Sequence, residues 1–264
     1  MTKLTGKVLV TSGGTQGIGE AIALLAAENG AAGVVITGRQ EAKGQAVVER
    51  INARGAQGLF VAADLSSVDD CRNVIQQCDA TFGRVDALVN AAADTNRGTI
   101  ESTTPEFWDY QFHVNVRAPF LLSQEAVRVM RREGQGGGIV NILSVAAYCG
   151  LENLLSYSST KGALTTMTKN LAMALRRDRI RVNGVTLGWT NTPNEHIVQA
   201  AQGSPSDWLE TAAKDSPFGR LIEPEDVARL TLYLLSEESG VVTGSNIDYS
   251  QHVMGSLPTG LGRE

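Results

Sequence analysis

A glycine-rich loop follows the first strand-like run of the chain and precedes a helix-like segment. It reads Thr11-Ser-Gly13-Gly14-Thr15-Gln16-Gly17-Ile18-Gly19. Gly13 allows a tight turn, and Gly17 and Gly19 let the backbone approach a pyrophosphate while the helix packs on the strand. The start of that helix offers N–H donors and a positive dipole to phosphate groups. The loop therefore predicts a dinucleotide site, and an ordinary strand–helix turn is the alternative. We expect contacts to the dinucleotide from Gly13, Thr15, Gln16, Gly17, Ile18 and Gly19.

The second strand-like run ends at Ile36-Thr37-Gly38-Arg39, where a carboxylate would bind the ribose 2′-hydroxyl of NAD. Arg39 stands there instead, and its guanidinium suits a 2′-phosphate. A charge-assisted hydrogen bond contributes about 1.5–3 kcal/mol, which corresponds to a preference of roughly ten- to a hundredfold. NADP(H) is therefore the favoured cofactor and NAD(H) the alternative. In the competing interpretation, Arg39 is only a solvated residue at a helix start.

Three side chains are placed to converge near this loop. Tyr157 and Lys161 are four residues apart at the start of a helical pattern, so they share one face. Ser144 comes thirteen residues before Tyr157 and follows the fifth strand-like run. All three can meet at the carboxyl edge of a sheet, although such a tyrosine–lysine pair alone is usually structural.

The whole chain alternates short, continuous apolar runs with helix-length segments. We predict strands at Val8–Thr11, Gly33–Thr37, Gly58–Ala62, Ala87–Asn90, Gly138–Ile142 and Arg181–Thr186, with a possible last strand within Val241–Asp248. We predict helices near 17–30, 41–54, 67–82, 105–132 and 156–177. This alternation indicates an α/β fold: a Rossmann-like, doubly wound parallel sheet with helices on both faces, in a single domain over residues 1–264.

A polar stretch at about 188–217 interrupts the alternation just after the sixth predicted strand. Ligands of open α/β sheets bind beyond the carboxyl ends of strands, so we interpret this stretch as a lid over the substrate. A surface insertion is the alternative.

Composition narrows the function classes. The 264 residues carry a net charge of −5, and the basic clusters lie at predicted helix ends, so we expect no nucleic-acid partner. The three cysteines form no metal-binding pattern, and Cys71 and Cys78 are too far apart on one helix for a disulfide. The cysteine pattern therefore predicts no metal site. No apolar run is long enough to cross a membrane, and the cysteine usage fits a reducing compartment, so we expect a cytoplasmic protein.

Taken together and in order, these motifs resemble the short-chain dehydrogenase/reductase family, in its compact branch of about 250 residues. The resemblance covers nearly the whole chain. Besides the glycine loop, Ser144, Tyr157 and Lys161, it includes Asp64-Leu65, Asn90-Ala-Ala-Ala93, Asn115 within His-Val-Asn-Val, and Gly188 with Thr190 and Thr192.

The resemblance implies hydride transfer between a nicotinamide and a ketone or secondary alcohol. Tyr157 would exchange a proton with the substrate oxygen, and Ser144 would hold that oxygen. Lys161 would stabilise the phenolate and bind the nicotinamide ribose, while Asn115 would place a water that links Lys161 to solvent. The remaining implied cofactor contacts are Asp64, Leu65, Asn90, Tyr157, Gly188, Thr190 and Thr192.

The chain departs from the family pattern at several positions. Ser12 stands where threonine is usual, and Ala91 and Ala93 replace Asn and Gly in the Asn-Asn-Ala-Gly element. The Cβ of Ala93 is expected to crowd the cofactor backbone contact. Leu187 replaces the proline before Gly188, which removes rigidity at the base of the lid.

Residues that follow the Asn90 turn, follow the strand carrying Ser144 or lie on the lid are candidates for the small-molecule substrate site. These are Arg97, Tyr148, Cys149, Glu152, Trp189 and His196. Arg97 could meet an anion. The polar lid suits a sugar or polyol-like carbonyl compound, with a β-ketoacyl compound and a simple cyclic ketone as alternatives.

The resemblance also implies a homodimer or homotetramer that pairs through the helices at 105–132 and 156–177, with the C-terminal tail near a neighbouring subunit's site. Two other functions are alternatives. A non-catalytic dinucleotide-sensing protein is suggested by Ala91, Ala93 and Leu187. A sugar-nucleotide epimerase is disfavoured by the Gly-x-x-x-Gly-x-Gly spacing and the short C-terminus.

Overall fold

A parallel sheet of seven strands forms the centre of the computed structural model, which describes residues 4–148 and 150–253. The strands are β1 (Val8–Ser12), β2 (Gly33–Gly38), β3 (Gln57–Ala62), β4 (Ala87–Asn90), β5 (Gly137–Ser144), β6 (Ile180–Leu187) and β7 (Asn246–Tyr249). Their order is β3-β2-β1-β4-β5-β6-β7, and each adjacent pair is parallel. The order reverses between β1 and β4, where open α/β sheets bind ligands. The predicted Rossmann-like, doubly wound sheet is confirmed.

Helices cover both faces of this sheet. The α-helices of the described residues are α1 (Gly17–Glu28), α2 (Glu41–Asn52), α3 (Val68–Phe82), α4 (Pro105–Phe112), α5 (Ala118–Glu133), α6 (Leu155–Leu175), α7 (Pro193–Ala201), α8 (Trp208–Asp215) and α9 (Pro224–Leu235). Leu9 of β1 packs in a core with residues of α1 and α9, whereas Val8 and Val10 pack in a core with residues of α3 and α5. Both faces of each central strand are thus buried, which explains the continuous apolar runs.

The helix predicted over 105–132 is interrupted. A π-helical turn, His113–Arg117, separates α4 from α5, and the N–H of Ala118 donates to the carbonyl oxygen of His113. Pro119 has no N–H, so it cannot donate to the carbonyl oxygen of Asn115 four residues earlier. Asn115 therefore lies at a break in the helical hydrogen bonding, a feature frequent at functional sites.

The end of the chain differs from its predicted elements in two ways. Helix α9 was missed, although Pro224 begins it and Glu223 and Asp226 form a reciprocal capping box at its start. The last strand is shorter than predicted and begins at Asn246, because Gly240 and Gly244 adopt φ values of 55° and 72° in the turns before it. The polar segment 188–217 contains the short helices α7 and α8.

The described cysteines are buried in the apolar face of α3. Cys71 and Cys78 are free thiols, and burial raises their pKa values to about 11 and about 12. Both therefore remain protonated at neutral pH and serve as small apolar core residues. None of the helices in residues 4–148 and 150–253 has the length and apolar character needed to cross a membrane.

Candidate active site

A cleft of about 1050 Å³ opens at the carboxyl edge of the sheet. Its lining runs from Arg39 after β2 to Tyr157 beside β5, and Trp189 borders it on the side of α7. The cleft thus lies at the switch point of the strand order, where the sequence places both the glycine loop and the three candidate catalytic residues.

The glycine loop between β1 and α1 forms one wall of this cleft. Gly13 has a φ of 70°, and a Cβ there would lie 2.8 Å from the Cα of Ala92. A Cβ on Gly19 would overlap the carbonyl oxygen of Gly13. No side chain among the described residues caps the N-terminus of α1, so its first N–H groups stay available. These features fit the pyrophosphate of a dinucleotide. The loop residues predicted to contact it all line the cleft: Gly13, Thr15, Gln16, Gly17, Ile18 and Gly19.

Two cations mark the end of the cleft beside β2. Arg39 is exposed there and forms no ion pair with any described residue. Lys43, one turn into α2, lines the same region and donates a hydrogen bond of 3.2 Å to Gln16 Oε1. A Cβ at position 38 would lie 2.7 Å from Thr15 Cγ2, so the acid that would select NAD fits there only if the Thr15 side chain moves. Sequence reasoning missed Lys43, although its place one turn after Arg39 was a usable signal.

Asp64 and Leu65, which follow β3, line the cleft near this end as the resemblance implied. Hydrogen bonds from the backbone and hydroxyl of Ser66 hold the pKa of Asp64 below its usual value, and the charge of Arg39 adds to this effect. Asp64 therefore carries a stable negative charge a short distance from Arg39.

Asn90 lies beneath the cleft rather than on its surface. Its side chain is 2% exposed, and Nδ2 donates to Asn141 Oδ1 at 2.8 Å. Asn141 Nδ2 in turn donates to Thr168 Oγ1 of α6 at 2.9 Å. The cleft lining includes the following residues Ala91, Ala92 and Ala93 instead, and the hydroxyl of Ser12 accepts hydrogen bonds from the N–H groups of Ala91 and Ala92.

Tyr157 and Ser144 meet as predicted. Ser144 is the last residue of β5, Tyr157 lies in the first turn of α6, and both line the cleft with the serine hydroxyl close enough to act on the phenol. Burial raises the pKa of Tyr157. The Ser144 hydroxyl and the charge of Arg97 partly oppose this rise, whereas the charge of Glu195 adds to it. The phenol is therefore protonated at neutral pH. Ser144 Oγ accepts from the N–H of Ala146 at 3.2 Å, so the backbone fixes the serine oxygen at the edge of the cleft.

Lys161 is buried one turn beyond Tyr157. Its side chain Nζ lies 5.6 Å from the centre of the Tyr157 ring and donates a hydrogen bond of 2.8 Å to the carbonyl oxygen of Ile142. The residue is 3% exposed, and this burial lowers its pKa to about 8. A lysine charge is thus held beside the phenol at neutral pH.

The side chain of Asn115 is fully engaged with the loop after β4. Its Oδ1 accepts from the N–H of Asp94 at 2.7 Å, and its Nδ2 donates to the Asp94 carbonyl oxygen at 2.9 Å and to Thr160 Oγ1 at 3.1 Å. The amide therefore positions the backbone around Asp94. The backbone carbonyl oxygen of Asn115, in contrast, lacks its usual helical donor, because Pro119 has no N–H.

Sequence reasoning missed the network around Asp94. Gln111, fully buried in α4, donates to Asp94 Oδ1 at 2.8 Å and to the Asn96 carbonyl oxygen at 3.0 Å, and it accepts from the hydroxyl of Ser156. This network joins the loop after β4 to the start of α6, immediately before Tyr157. A glutamine among apolar helix residues was the available signal.

Helix α7 and the residues just before it form the wall opposite the sheet. Gly188, Thr190 and Thr192 line the cleft, and Thr192 Oγ1 caps α7 by accepting from the N–H of Glu195 at 3.2 Å. Trp189 is 49% exposed and its ring stacks on that of Trp208 at 5.7 Å between centroids. Its indole N–H donates to Glu195 Oε1 at 2.9 Å.

The other predicted substrate residues are placed differently. Tyr148 and Glu152 are exposed and are not among the described residues that line the cleft. His196 packs edge-on against Trp208 at 5.0 Å and pairs with Asn191 Oδ1 at 2.9 Å, so it supports the wall from behind. Arg97 lines the cleft. Cys149 and the C-terminal tail after residue 253 lie outside the described residues.

Within residues 4–148 and 150–253, no group of three His, Cys, Asp or Glu side chains is placed to hold a metal ion. The described cleft instead combines a phosphate-binding loop, two cations at one end and a phenol–ammonium pair at the other. That combination fits a nicotinamide dinucleotide and defines an oxidoreductase with a Rossmann-like sheet.

Comparison with known proteins agrees with this assignment. Residues 13–250 match a family model described as enoyl-(acyl carrier protein) reductase. An uncharacterised oxidoreductase of Thermotoga maritima is 37% identical, over 92% of this chain and 96% of its own length. The NADP-dependent (R)-specific alcohol dehydrogenase of Lentilactobacillus kefiri is 34% identical, over 92% of this chain and 94% of its own.

A solved structure shares the whole architecture. The 3-oxoacyl-(acyl carrier protein) reductase of Agrobacterium tumefaciens, with NADP bound, matches with a TM-score of 0.87 at 27% identity, covering 96% of both chains. The chain belongs to the short-chain dehydrogenase/reductase family and is an NAD(P)-dependent oxidoreductase acting on CH–OH groups.

The buried charge of Lys161 predicts an unusual pH dependence of stability. Its pKa falls from 10.5 to about 8 on folding, and each pKa unit corresponds to about 1.4 kcal/mol. The penalty is fully present below pH 8 and disappears above pH 10.5, because the unfolded chain binds the extra proton between these values. K161M removes this penalty but also loses the hydrogen bond to Ile142, which offsets part of the gain. We therefore expect K161M to be more stable than the wild type by about 2 kcal/mol at pH 7.

Thermal unfolding between pH 6 and 10.5 measures this difference. The advantage of K161M should shrink as the pH rises above 8 and reverse before pH 10.5, because the lost penalty of about 3 kcal/mol exceeds the gap at pH 7. The matched control is K169M, which replaces an exposed lysine on the same helix and should show no such convergence. A K161M protein that is less stable than the wild type at pH 7 would contradict the assigned burial penalty.

Proposed function

We propose that this protein interconverts a small carbonyl compound and its secondary alcohol with NADP(H), through Ser144, Tyr157, Lys161 and Asn115. The observation that carries the proposal is the placement of Tyr157 beside Ser144 and the buried Lys161, in one cleft with the glycine loop. When bound, the nicotinamide supplies or accepts the hydride. The side chains of the protein then orient the substrate and move a proton.

Tyr157 is the proton donor in the reducing direction. Burial keeps its phenol protonated, so it can donate to the substrate oxygen as that oxygen gains negative charge. Ser144 is placed to donate to the same oxygen, because its hydroxyl lines the cleft beside Tyr157 and is held there by the N–H of Ala146. Lys161 favours the phenolate that remains, since its ammonium lies beside the ring.

Asn115 contributes in two ways. Its side chain fixes the loop at Asp94, and its carbonyl oxygen, freed by Pro119, is available to hold the water that links Lys161 to solvent. The same residue therefore supports both the shape of the site and the return of the proton.

The preference for NADP(H) over NAD(H) is supported by charge and by space. Arg39 and Lys43 offer two cations where a 2′-phosphate would lie, and Gly38 cannot be replaced by an acid without moving Thr15. The Lentilactobacillus kefiri relative is named as NADP-dependent and the Agrobacterium tumefaciens structure holds NADP, which favours the same choice here.

We also propose that residues 188–217 act as a lid and that the protein assembles as a cytoplasmic homodimer or homotetramer. Asn194 of α7 donates to Thr95 Oγ1 at 3.0 Å, a contact that must break for the lid to open. Phe120 on α5 and Met173 on α6 are 42% and 61% exposed, as residues covered by another subunit would be. The free thiols of Cys71 and Cys78 suit a reducing compartment.

Tyr157→Phe tests the catalytic role directly. It removes the proton donor while keeping the ring, so we expect kcat for carbonyl reduction to fall by about 10²–10⁴-fold with NADPH affinity nearly unchanged. Y233F, at an exposed tyrosine of α9, is the matched control and should retain activity. Steady-state kinetics and NADPH fluorescence titration give the two readouts. Unchanged turnover in Y157F would remove the proposed mechanism, and loss of turnover would exclude the non-catalytic alternative.

The cofactor preference is tested by titrating NADPH and NADH in parallel. R39A should weaken NADPH binding by about ten- to a hundredfold and leave NADH binding nearly unchanged; K43A should act in the same direction. The control is R50A. Arg50 lies on α2 like Lys43, but its guanidinium is paired with Glu20 of α1, so its removal should alter the binding of neither cofactor. Equal or tighter binding of NADH, unaffected by R39A, would show that the cofactor is NAD(H).

A further inference from the structure

Arg97 presents a guanidinium to the substrate end of the cleft. Its Nη1 donates to the carbonyl oxygen of Thr95 at 3.1 Å, which is its one hydrogen bond to the described residues. Its Nη2 lies 3.6 Å from Glu195 Oε1, beyond hydrogen-bonding distance. The side chain is 25% exposed and lines the cleft, and of its five N–H donors one is used by a hydrogen bond to the described residues.

Glu195 does not need Arg97 to balance its charge. Its Oε1 already accepts from Trp189 Nε1 at 2.9 Å and from Gln199 Nε2 at 2.8 Å. It also lies in the first turn of α7, where the helix dipole favours a negative charge. Glu195 therefore holds Arg97 nearby by attraction while leaving its donors free.

The other charged groups near Tyr157 are committed elsewhere. Lys161 is bonded to the carbonyl oxygen of Ile142 beneath the phenol. The carboxylate of Asp94 accepts from Asn96 and Gln111. Arg97 and Glu195 are both close enough to Tyr157 for their charges to affect the phenol, in opposite directions, and Arg97 is the cation of the two. A substrate with its carbonyl at Tyr157 and an anionic group further along would bring that group to Arg97.

We propose that Arg97 binds a carboxylate of the substrate, which makes the physiological substrate a keto acid or its hydroxy acid. This inference rests on the proposed function, because it takes Tyr157 as the group that faces the reacting carbonyl. The planar guanidinium matches a carboxylate through two parallel N–H···O bonds, a geometry that neither an ester nor a simple ketone reproduces.

Matched acid and ester substrates test the proposal. We would compare 2-, 3- and 4-oxopentanoate with their methyl esters, using NADPH and the wild type, R97Q, E195Q and R54Q. For the acid of best-fitting length, the wild type should have a kcat/KM well above that of its ester. R97Q should lower this acid-to-ester ratio by about ten- to a hundredfold. R54Q, which removes a guanidinium paired with Glu28 outside the cleft, should leave the ratio unchanged.

E195Q separates carboxylate binding from a purely structural ion pair. If Arg97 binds a carboxylate, removal of the neighbouring negative charge should lower KM for the acid, opposite to R97Q. If the Arg97–Glu195 pair only holds the lid to the loop, both variants should raise KM for acid and ester alike, and the proposal fails.

Calorimetric titration of the same compounds into the protein with NADP⁺ gives a readout that does not require turnover. Acids that bind more tightly than esters, with the difference lost in R97Q, support the carboxylate site even where turnover is slow. Esters that are reduced as well as acids, in a reaction that Y157F abolishes, would overturn the carboxylate site and leave the proposed oxidoreductase function intact. The proposed function itself would be contradicted by a different result, namely turnover that is the same in Y157F and in the wild type.

Discussion

The burial of a lysine ammonium beneath a tyrosine ring is the constraint on which the site depends. Lys161 is nearly inaccessible, and its charge has the Ile142 carbonyl oxygen as its hydrogen-bond partner. Burial of this kind opposes folding, so the surrounding fold must stabilise it. The length of α6, with Leu164 and Ala172 in the cores, supplies that support. The buried ammonium lowers the free energy of unfolding, but it places a positive charge where a phenolate would form.

The helix start that carries Tyr157 is fixed from both sides. Ser156, the preceding residue, donates to Gln111 of α4, and Thr160 accepts from Asn115 in the π-helical turn. Both partners also bond to the loop at Asp94. A polar network of this kind is rigid when all its members are satisfied. The loop after β4, the interrupted helix and the first turn of α6 therefore act as one support for the phenol and for Arg97 nearby.

Local sequence signals predicted the parallel sheet, the glycine loop and the meeting of Tyr157 with Ser144, because strand ends and helix faces follow from periodicity and spacing. They did not predict features created by tertiary contact. Lys43 reaches the cleft only because α2 packs beside Gln16, and the orientation of Asn115 depends on partners in two other elements. Tyr148 and Glu152 are close to Ser144 in sequence, yet the turn after β5 leaves them exposed. Proximity along the chain was a poor guide to the substrate end.

The buried chain of bonds from Asn90 through Asn141 to Thr168 has a consequence for how the sheet assembles. Asn90 and Asn141 are directly paired across β4 and β5, and both amides are buried. A slip of one residue would bring Val140 or Ile142 opposite Asn90 and break its 2.8 Å bond to Asn141, leaving the longer bond of 3.4 Å to Ser123 Oγ. An unmatched amide oxygen on Asn141 would then cost about 1–3 kcal/mol. Apolar strands such as these carry little other information about register. The hydrogen bond between the two asparagines thus favours one register of β4 against β5 during folding.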